Sequence, residues 1–300
     1  MNKYIIGVDV GGTNIKLGIV SPDGKIIARQ HFSTKKFSRN KTKLINAIVS
    51  TAEGLLLEQK LSKGDIEALG IGLPGLIDPV KGIVSYLPNI PGWRNVPLKK
   101  ILQDKIGLPV FIDNDVNVIT LAEWKYGAGI GYQNFICVTL GTGVGGGLIL
   151  NNAMYRGEGY VAGEIGHMPL DDRTLEGFVG NGVLQEKAGK MFKNKNIRLE
   201  EVYDLAKIGN TLAKEFWQEA GAYIGTTLAG VINLLNLRLV IIGGGVSNNF
   251  KFLNPAIKDT LQKKCMKVQA GMVKVVRCKL QDDAGIIGAQ ILVKDPTIGT

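Results

Sequence analysis

The stretch IGVDVGGTNIKLGIV, residues 6–20, alternates apolar residues with small or polar ones on both sides of Gly-Gly-Thr-Asn. That period of two predicts strands over 4–10 and 15–20 joined by a tight turn. A second stretch, ICVTLGTGVGGGLIL, residues 136–150, has the same design, with Gly141 where Gly11 stands in the first. A repeated strand–glycine turn–strand unit predicts two related halves, each an α/β layer. Working outward, a third strand is expected over 25–32 and a helix over 43–61, where Leu44, Ile48 and Leu55 share a face. IEALGIGLPG (66–75) reads as a strand and loop, 97–106 as a helix, and PVFI (109–112) as a strand. Residues 200–236 read as helical, with Ala213, Phe216, Trp217, Ala220, Tyr223, Ile224 and Leu228 on the buried stripe. The apolar run LVII then meets Gly243-Gly244-Gly245, followed by a helix over 255–265, a strand over 272–280 and a helix over 284–294. The last helix is expected to return to the first half. The expected domains are therefore 1–117 plus about 286–300, and 118–285.

A chain of 300 residues has room for one large or two medium domains, and 45% apolar with 21% charged residues describes a soluble globular enzyme rather than a disordered chain. The 40 glycines are about twice the usual share and lie in short groups between strand-like runs, where they let backbone turn or approach a ligand. The net charge of +10 gathers most visibly in KKFSRNKTK, 35–43, without interleaved aromatic residues or a nucleic-acid motif. It reads as solvated surface with a leaning toward anionic ligands, and no nucleic-acid partner is expected. Cys137, Cys265 and Cys278 are odd in number and far apart, as in a reducing compartment. The opening MNKYIIGVDVGGTN is interrupted by Asp9 and is not a signal peptide, and no run approaches the ~20 apolar residues of a membrane span. A cytoplasmic location without membrane attachment is expected.

LGTGVGGG satisfies GxGxxG through Gly141, Gly143 and Gly146, but a strand follows it instead of the helix that a dinucleotide site requires. No GxxxxGK[ST] occurs either. Two readings stay open: two tight β-turns, or two turns aiming N–H groups and threonine hydroxyls at phosphate. FIDNDVN, 111–117, poses a parallel choice, because Asp113-Asn114-Asp115 ends a strand and begins a helix. It is either a helix cap or a catalytic carboxylate at the carboxyl edge of a sheet.

DVGGTNIK, LGTGVGGG, AGEIGHM and VIIGGGVS, in this order, resemble the ROK (repressor, open reading frame, kinase) sugar kinases, nearest to their bacterial glucokinases. The resemblance implies the actin/hexokinase-like, ribonuclease-H-like duplicated α/β fold, with two domains and a cleft that closes on ATP and sugar. It implies that Gly11, Gly12, Thr13 and Asn14, with Gly141, Thr142 and Gly143, hold the ATP phosphates. Gly243, Gly244 and Gly245 would lie by the adenosine, and Asp9 near a magnesium ion, through water. Many relatives carry Lys where this chain has Asn14; Lys16 reads as a solvent-facing strand residue. Asp115 matches the catalytic base, with Asp113 in a supporting role. Gly75, Asn89, Asn114, Glu164, His167 and Glu186 match sugar ligands; His31 is expected to be structural or exposed. A one-residue shift would put Gln185 in the place of Glu186.

Most relatives follow GHM with a zinc motif, CxCGxxGCxE. Aligned from His167 it falls on GFVGNGVLQE, 177–186, where Gly177, Val179 and Leu184 replace the cysteines. No zinc site is therefore expected, and apolar packing by Val179 and Leu184 is expected to take its place. The implied activity is transfer from ATP to the 6-hydroxyl of a hexose, glucose first, with fructose, mannose, allose and N-acetylmannosamine as alternatives. Polyphosphate stays open as donor. A non-enzymatic sugar-sensing regulator is the other class; the family's repressors carry a helix-turn-helix ahead of the first strand, for which this sequence leaves no room. Relatives assemble as dimers or tetramers, so a homodimer or homotetramer is expected.

Overall fold

In a computed structural model the described residues are 3–37, 40–87 and 92–295; the expected sugar ligand Asn89 lies outside them. The chain divides into two compact units. Met1–Gly131, Ala153–Ala162 and Lys279–Thr300 make the first, Tyr132–Asn152 and Gly163–Cys278 the second.

The first unit opens as the alternation requires, with strands β1 (Tyr4–Val10), β2 (Asn14–Val20) and β3 (Ile26–Ser33). Helix α1 (Lys41–Glu58) follows; Asn40 starts it by accepting the Lys43 N–H at 3.0 Å, and Leu44, Ile48, Ala52 and Leu55 bury one face. Then come β4 (Ile66–Leu73), a small antiparallel sheet of β5 (Leu76–Asp78), β6 (Ile83–Tyr86) and β7 (Arg94–Val96), helix α2 (Leu98–Ile106), β8 (Val110–Asn114) and α3 (Asp115–Tyr126). The main sheet has the order β3-β2-β1-β4-β8, antiparallel through the first three strands and parallel from β1 to β8.

The second unit begins with β9 (Phe135–Leu140) and β10 (Val144–Leu150); β11 (Ala153–Tyr155) then leads the segment that returns to the first unit. The short pair β12 (Pro169–Leu170) and β13 (Arg173–Thr174) precedes α4 (Glu176–Val179), α5 (Asn181–Met191), α6 (Leu199–Lys207) and α7 (Thr211–Leu235). Strand β14 (Leu239–Gly243), helices α8 (Phe250–Lys264) and α9 (Lys267–Met272), and β15 (Lys274–Arg277) complete it. Within this unit β10, β9, β14 and β15 lie side by side, repeating the order and directions of β2, β1, β4 and β8. The helix expected over 200–236 is interrupted, because Asn210 accepts the Ala213 N–H at 2.9 Å and so starts α7 afresh. On α7 the stripe is buried as expected except for Tyr223, which stays partly exposed.

Helix α10 (Ala284–Val293) belongs to the first unit and packs on β1, β4 and α3. Its backbone lies directly on the sheet: a Cβ at Gly7 would stand 2.3 Å from the Ile286 carbonyl oxygen, and one at Gly70 only 2.4 Å from that of Ala289. Because α3 lies along α10, the first unit runs through to Gly131, where the sequence pointed to a join near 117. The contact also predicts a measurable weakness. Gly70→Ala forces backbone against backbone and is expected to cost roughly 3 kcal/mol, the upper end for an overpacked core. Urea unfolding would show it as a lowered midpoint at unchanged slope.

Candidate active site

Strands β1, β4 and β8 run parallel, so their carboxyl ends share one edge of the first sheet. Asp9 pairs in register with Gly72, and Gly72 with Asp113. Two strand spacings therefore separate the aspartates, roughly 10 Å. Asp9 keeps part of its surface exposed, yet protein atoms crowd its carboxyl. That loss of hydration pushes its pKa up, against the pull of Lys16; Asp282 adds to the rise. Lys16 does not simply face solvent: its ammonium meets Asp282 at 3.1 Å. A hard divalent cation suits an oxygen donor of this kind and would hold it ionised.

The turn after β1 closes with the Gly11 N–H donating to the Asn14 carbonyl at 2.9 Å. Buried Thr34 engages the turn from behind, its N–H on the Thr13 carbonyl at 2.9 Å and its hydroxyl on the Gly11 carbonyl at 2.8 Å. Ahead of Gly12 the space is open. The arrangement fixes a short backbone cradle with its tip unobstructed.

At the other end of the same edge, Asn114 ends β8 and caps α3. Its Oδ1 accepts the Val116 N–H at 2.9 Å and the Asn117 N–H at 3.4 Å, while its Nδ2 donates to the Gly75 carbonyl at 3.2 Å. Asp115 is the first residue of α3, half-buried, with Oδ1 accepting the Val116 N–H at 3.0 Å. The cap reading of FIDNDVN holds for Asn114, and that cap places the Asp115 carboxylate at the carboxyl edge of the sheet. Asp113 points inward and is 1% exposed.

The second unit repeats the cradle. The Gly141 N–H donates to the Gly143 carbonyl at 2.9 Å, and the Gly141 carbonyl accepts the Asn181 N–H at 2.8 Å. Glu176, a residue with no distinguishing sequence signal, accepts the Val144 N–H at 2.8 Å and braces the turn from below. Gly243 pairs with Thr139, which brings the glycine run after β14 beside the end of β9. Gly244, at φ +79, lies where a Cβ would meet the Leu140 carbonyl oxygen at 2.3 Å. Glycine is required there on both counts.

Glu164 precedes the short helical turn Ile165–His167, and its Oε2 stands 3.8 Å from His167 Nε2 with both side chains largely exposed. Glu186 lies on the exposed face of α5, where the Lys190 ammonium 2.6 Å away lowers its pKa. Gln185 is committed elsewhere, donating to the Ile197 carbonyl. His31 is an exposed residue of β3.

A family model described as "ROK family" matches residues 5–296. The chain belongs to the ROK family. It is 31% identical to a glucokinase of Thermotoga maritima over 97% of both chains. A ROK family glucokinase from Streptomyces griseus, solved with glucose and AMPPNP, superimposes with a TM-score of 0.82 at 28% identity, covering 97% of this chain and 99% of that one. A xylose repressor of Caldicellulosiruptor bescii is 28% identical over 96% of this chain and 77% of its own length. The fold is accordingly the actin/hexokinase-like α/β type of the ROK kinases.

At the positions of the zinc-binding cysteines of many ROK proteins this chain has Gly177, Val179 and Leu184. Val179 and Leu184 are buried in the apolar core of the second unit, Gly177 carries no side chain, and His167 alone cannot make a tetrahedral set. Among the described residues no group of three or more His, Cys, Asp or Glu side chains is placed to hold a metal. Other contacts fasten the segment: Phe178 stacks on Tyr223 with centroids 4.2 Å apart, and the Arg173 guanidinium lies 5.6 Å over Phe178. Glu176→Ala is expected to cost about 1 kcal/mol and to speed hydrogen exchange at the Val144 amide, whereas Glu176→Gln keeps the protection. Dialysis against a chelator should leave the calorimetric midpoint of unfolding unchanged; a drop would reveal a structural metal.

Proposed function

We propose that this protein is an ATP-dependent sugar kinase that phosphorylates the 6-hydroxyl of a hexose, with glucose as the leading substrate. The observation that carries this reading is the placement of Asp115. A half-buried carboxylate, fixed by the first turn of α3, stands on the same sheet edge as Asp9 and the Gly11–Thr13 cradle. The similarity to glucokinases supports the choice of sugar and of ATP.

In this reading Asp115 accepts a hydrogen bond from the primary hydroxyl, aligns that oxygen in line with the terminal phosphorus, and takes its proton as the new bond forms. Asn114 spends Oδ1 on its cap and one N–H on Gly75; its second N–H is assigned to the sugar. Gly75, Asn89, Glu164, His167 and Glu186 complete the sugar's partners. Gly11, Gly12, Thr13 and Asn14, with Gly141, Thr142 and Gly143, present backbone N–H groups and hydroxyls to the phosphates. Gly243, Gly244 and Gly245 leave room for the adenosine. Asp9 would hold magnesium through water, and the ion supplies neutralisation of phosphate charge when bound.

Fructose, mannose, allose and N-acetylmannosamine are the alternative acceptors. The likeness to a xylose repressor keeps a sugar-sensing regulator as the second reading. ADP release measured over a panel of hexoses, with ATP or polyphosphate as donor, separates these: a sensor binds sugar without turnover. Asp115→Asn is expected to lower kcat by roughly 10²–10⁴ while leaving the sugar dissociation constant within a few-fold. Near-normal turnover of that variant would remove Asp115 from the chemistry.

A further inference from the structure

The mechanism above makes no use of a buried cluster of charges in the first unit. Arg156, on the segment that returns from β11, donates through Nε to Asp113 Oδ2 at 2.8 Å. Its Nη2 lies 2.7 Å from the same oxygen and 2.8 Å from Asp295 Oδ2. The three side chains are only 5%, 2% and 7% exposed. Three distant stretches of chain thus converge on one guanidinium.

The other oxygen of Asp113 serves a different purpose. Oδ1 accepts the Asn114 N–H at 2.7 Å and the Asn117 Nδ2–H at 3.1 Å. Those donors flank Asp115, one residue before it and two after. The Asp113 carboxylate is therefore divided: Oδ2 belongs to Arg156, Oδ1 to the head of α3. Whatever turns that carboxylate turns the cap that presents Asp115.

We propose that Arg156 is a positioning residue for phosphoryl transfer, acting through Asp113 to fix the rotamer and height of Asp115. The proposal rests on the kinase reading of the site. Buried ion pairs stabilise little compared with apolar residues of the same volume, so stability alone is a weak reason for this one. What a two-pronged guanidinium gives that an apolar side chain cannot is a single orientation of its partner. Burial pushes the Asp113 pKa up, and Arg156 is the chief influence pulling it back toward the acceptor-only form that both donors of α3 require. A protonated Asp113 can turn a hydrogen toward the Asn114 N–H where a lone pair is needed, and a rotated one carries its lone pairs out of line with both donors. Displacements of this kind next to a reacting group cost turnover far more than binding.

The test is a double-mutant cycle on kcat, read by ADP release with saturating hexose and ATP, well below the unfolding midpoint of every variant. Arg156→Lys keeps the charge and loses the fork; it is expected to lower kcat about tenfold with KM for ATP within about twofold. Introduced into Asp115→Asn, the same change should alter the residual turnover less than about twofold, because the group it positions is no longer the base. Asp113→Asn provides an isosteric second entry to the cycle should the lysine variant fail to fold, with the same coupling expected. Equal losses in both backgrounds, or a lowered unfolding midpoint with unchanged kcat, would make the triad structural and overturn the proposal. If the wild-type protein phosphorylates no hexose, the kinase reading falls and takes the proposal with it. An active wild type that needs Asp115 but shows additive losses sinks the proposal alone.

Discussion

The contact that organises the first unit is backbone on backbone. Helix α10 seats the Ile286 and Ala289 carbonyls against Gly7 and Gly70, closer to the sheet than any side chain would allow. Close seating puts the first turn of α10 against Asp9: a Cβ at Gly285 would stand 2.4 Å from the Asp9 Cγ. It also gives α3 a rail to lie along, and α3 carries Asp115. The two carboxylates of the proposed chemistry thus take their positions from one helix–sheet interface and from the shared register of β1, β4 and β8. Tight packing of this kind transmits small displacements instead of absorbing them, which suits a site whose reacting groups must be held to a fraction of an ångström.

The second unit solves a different problem. Its glycine cradle must be held while the segment 177–186, which in many relatives is fastened by metal, offers no thiolate. The replacement is distributed: two buried aliphatic side chains, a stacked Phe178–Tyr223 pair with Arg173 above it, a backbone bond from Asn181, and the Glu176 carboxylate beneath Val144. Glu176 places negative charge next to a turn proposed to meet phosphate, so its hydrogen bond to Val144 is a structural gain set against an electrostatic cost.

Much of this was legible in sequence because it is written in short-range patterns. The period-two alternation around Gly11 and Gly141 gave both hairpins and the duplication, and Asn114-Asp115 after an apolar strand gave the cap and the carboxylate together. What escaped was carried by long-range partners. Nothing near NNAMYRGEG says that Arg156 meets Asp113 and Asp295, and nothing beside GFVG says that Glu176 reaches Val144. The domain limit escaped for the same reason: α3 belongs with α10, its neighbour only in space. The break between α6 and α7 was visible in principle, since Gly209-Asn210 is a helix stop followed by a cap, but the apolar stripe runs on across it.

The order in which the elements leave the ribosome follows from the seat of α10. The sheet of the first unit is made early, yet the helix that covers its glycine face is synthesised only after all of the second unit. Until then the apolar surface around Gly7 and Gly70 lacks its lid, and the amino-terminal half cannot complete its core by vectorial folding. The second unit, by contrast, is one stretch of chain broken only by the excursion 153–162, so nothing made after Cys278 is needed to complete it.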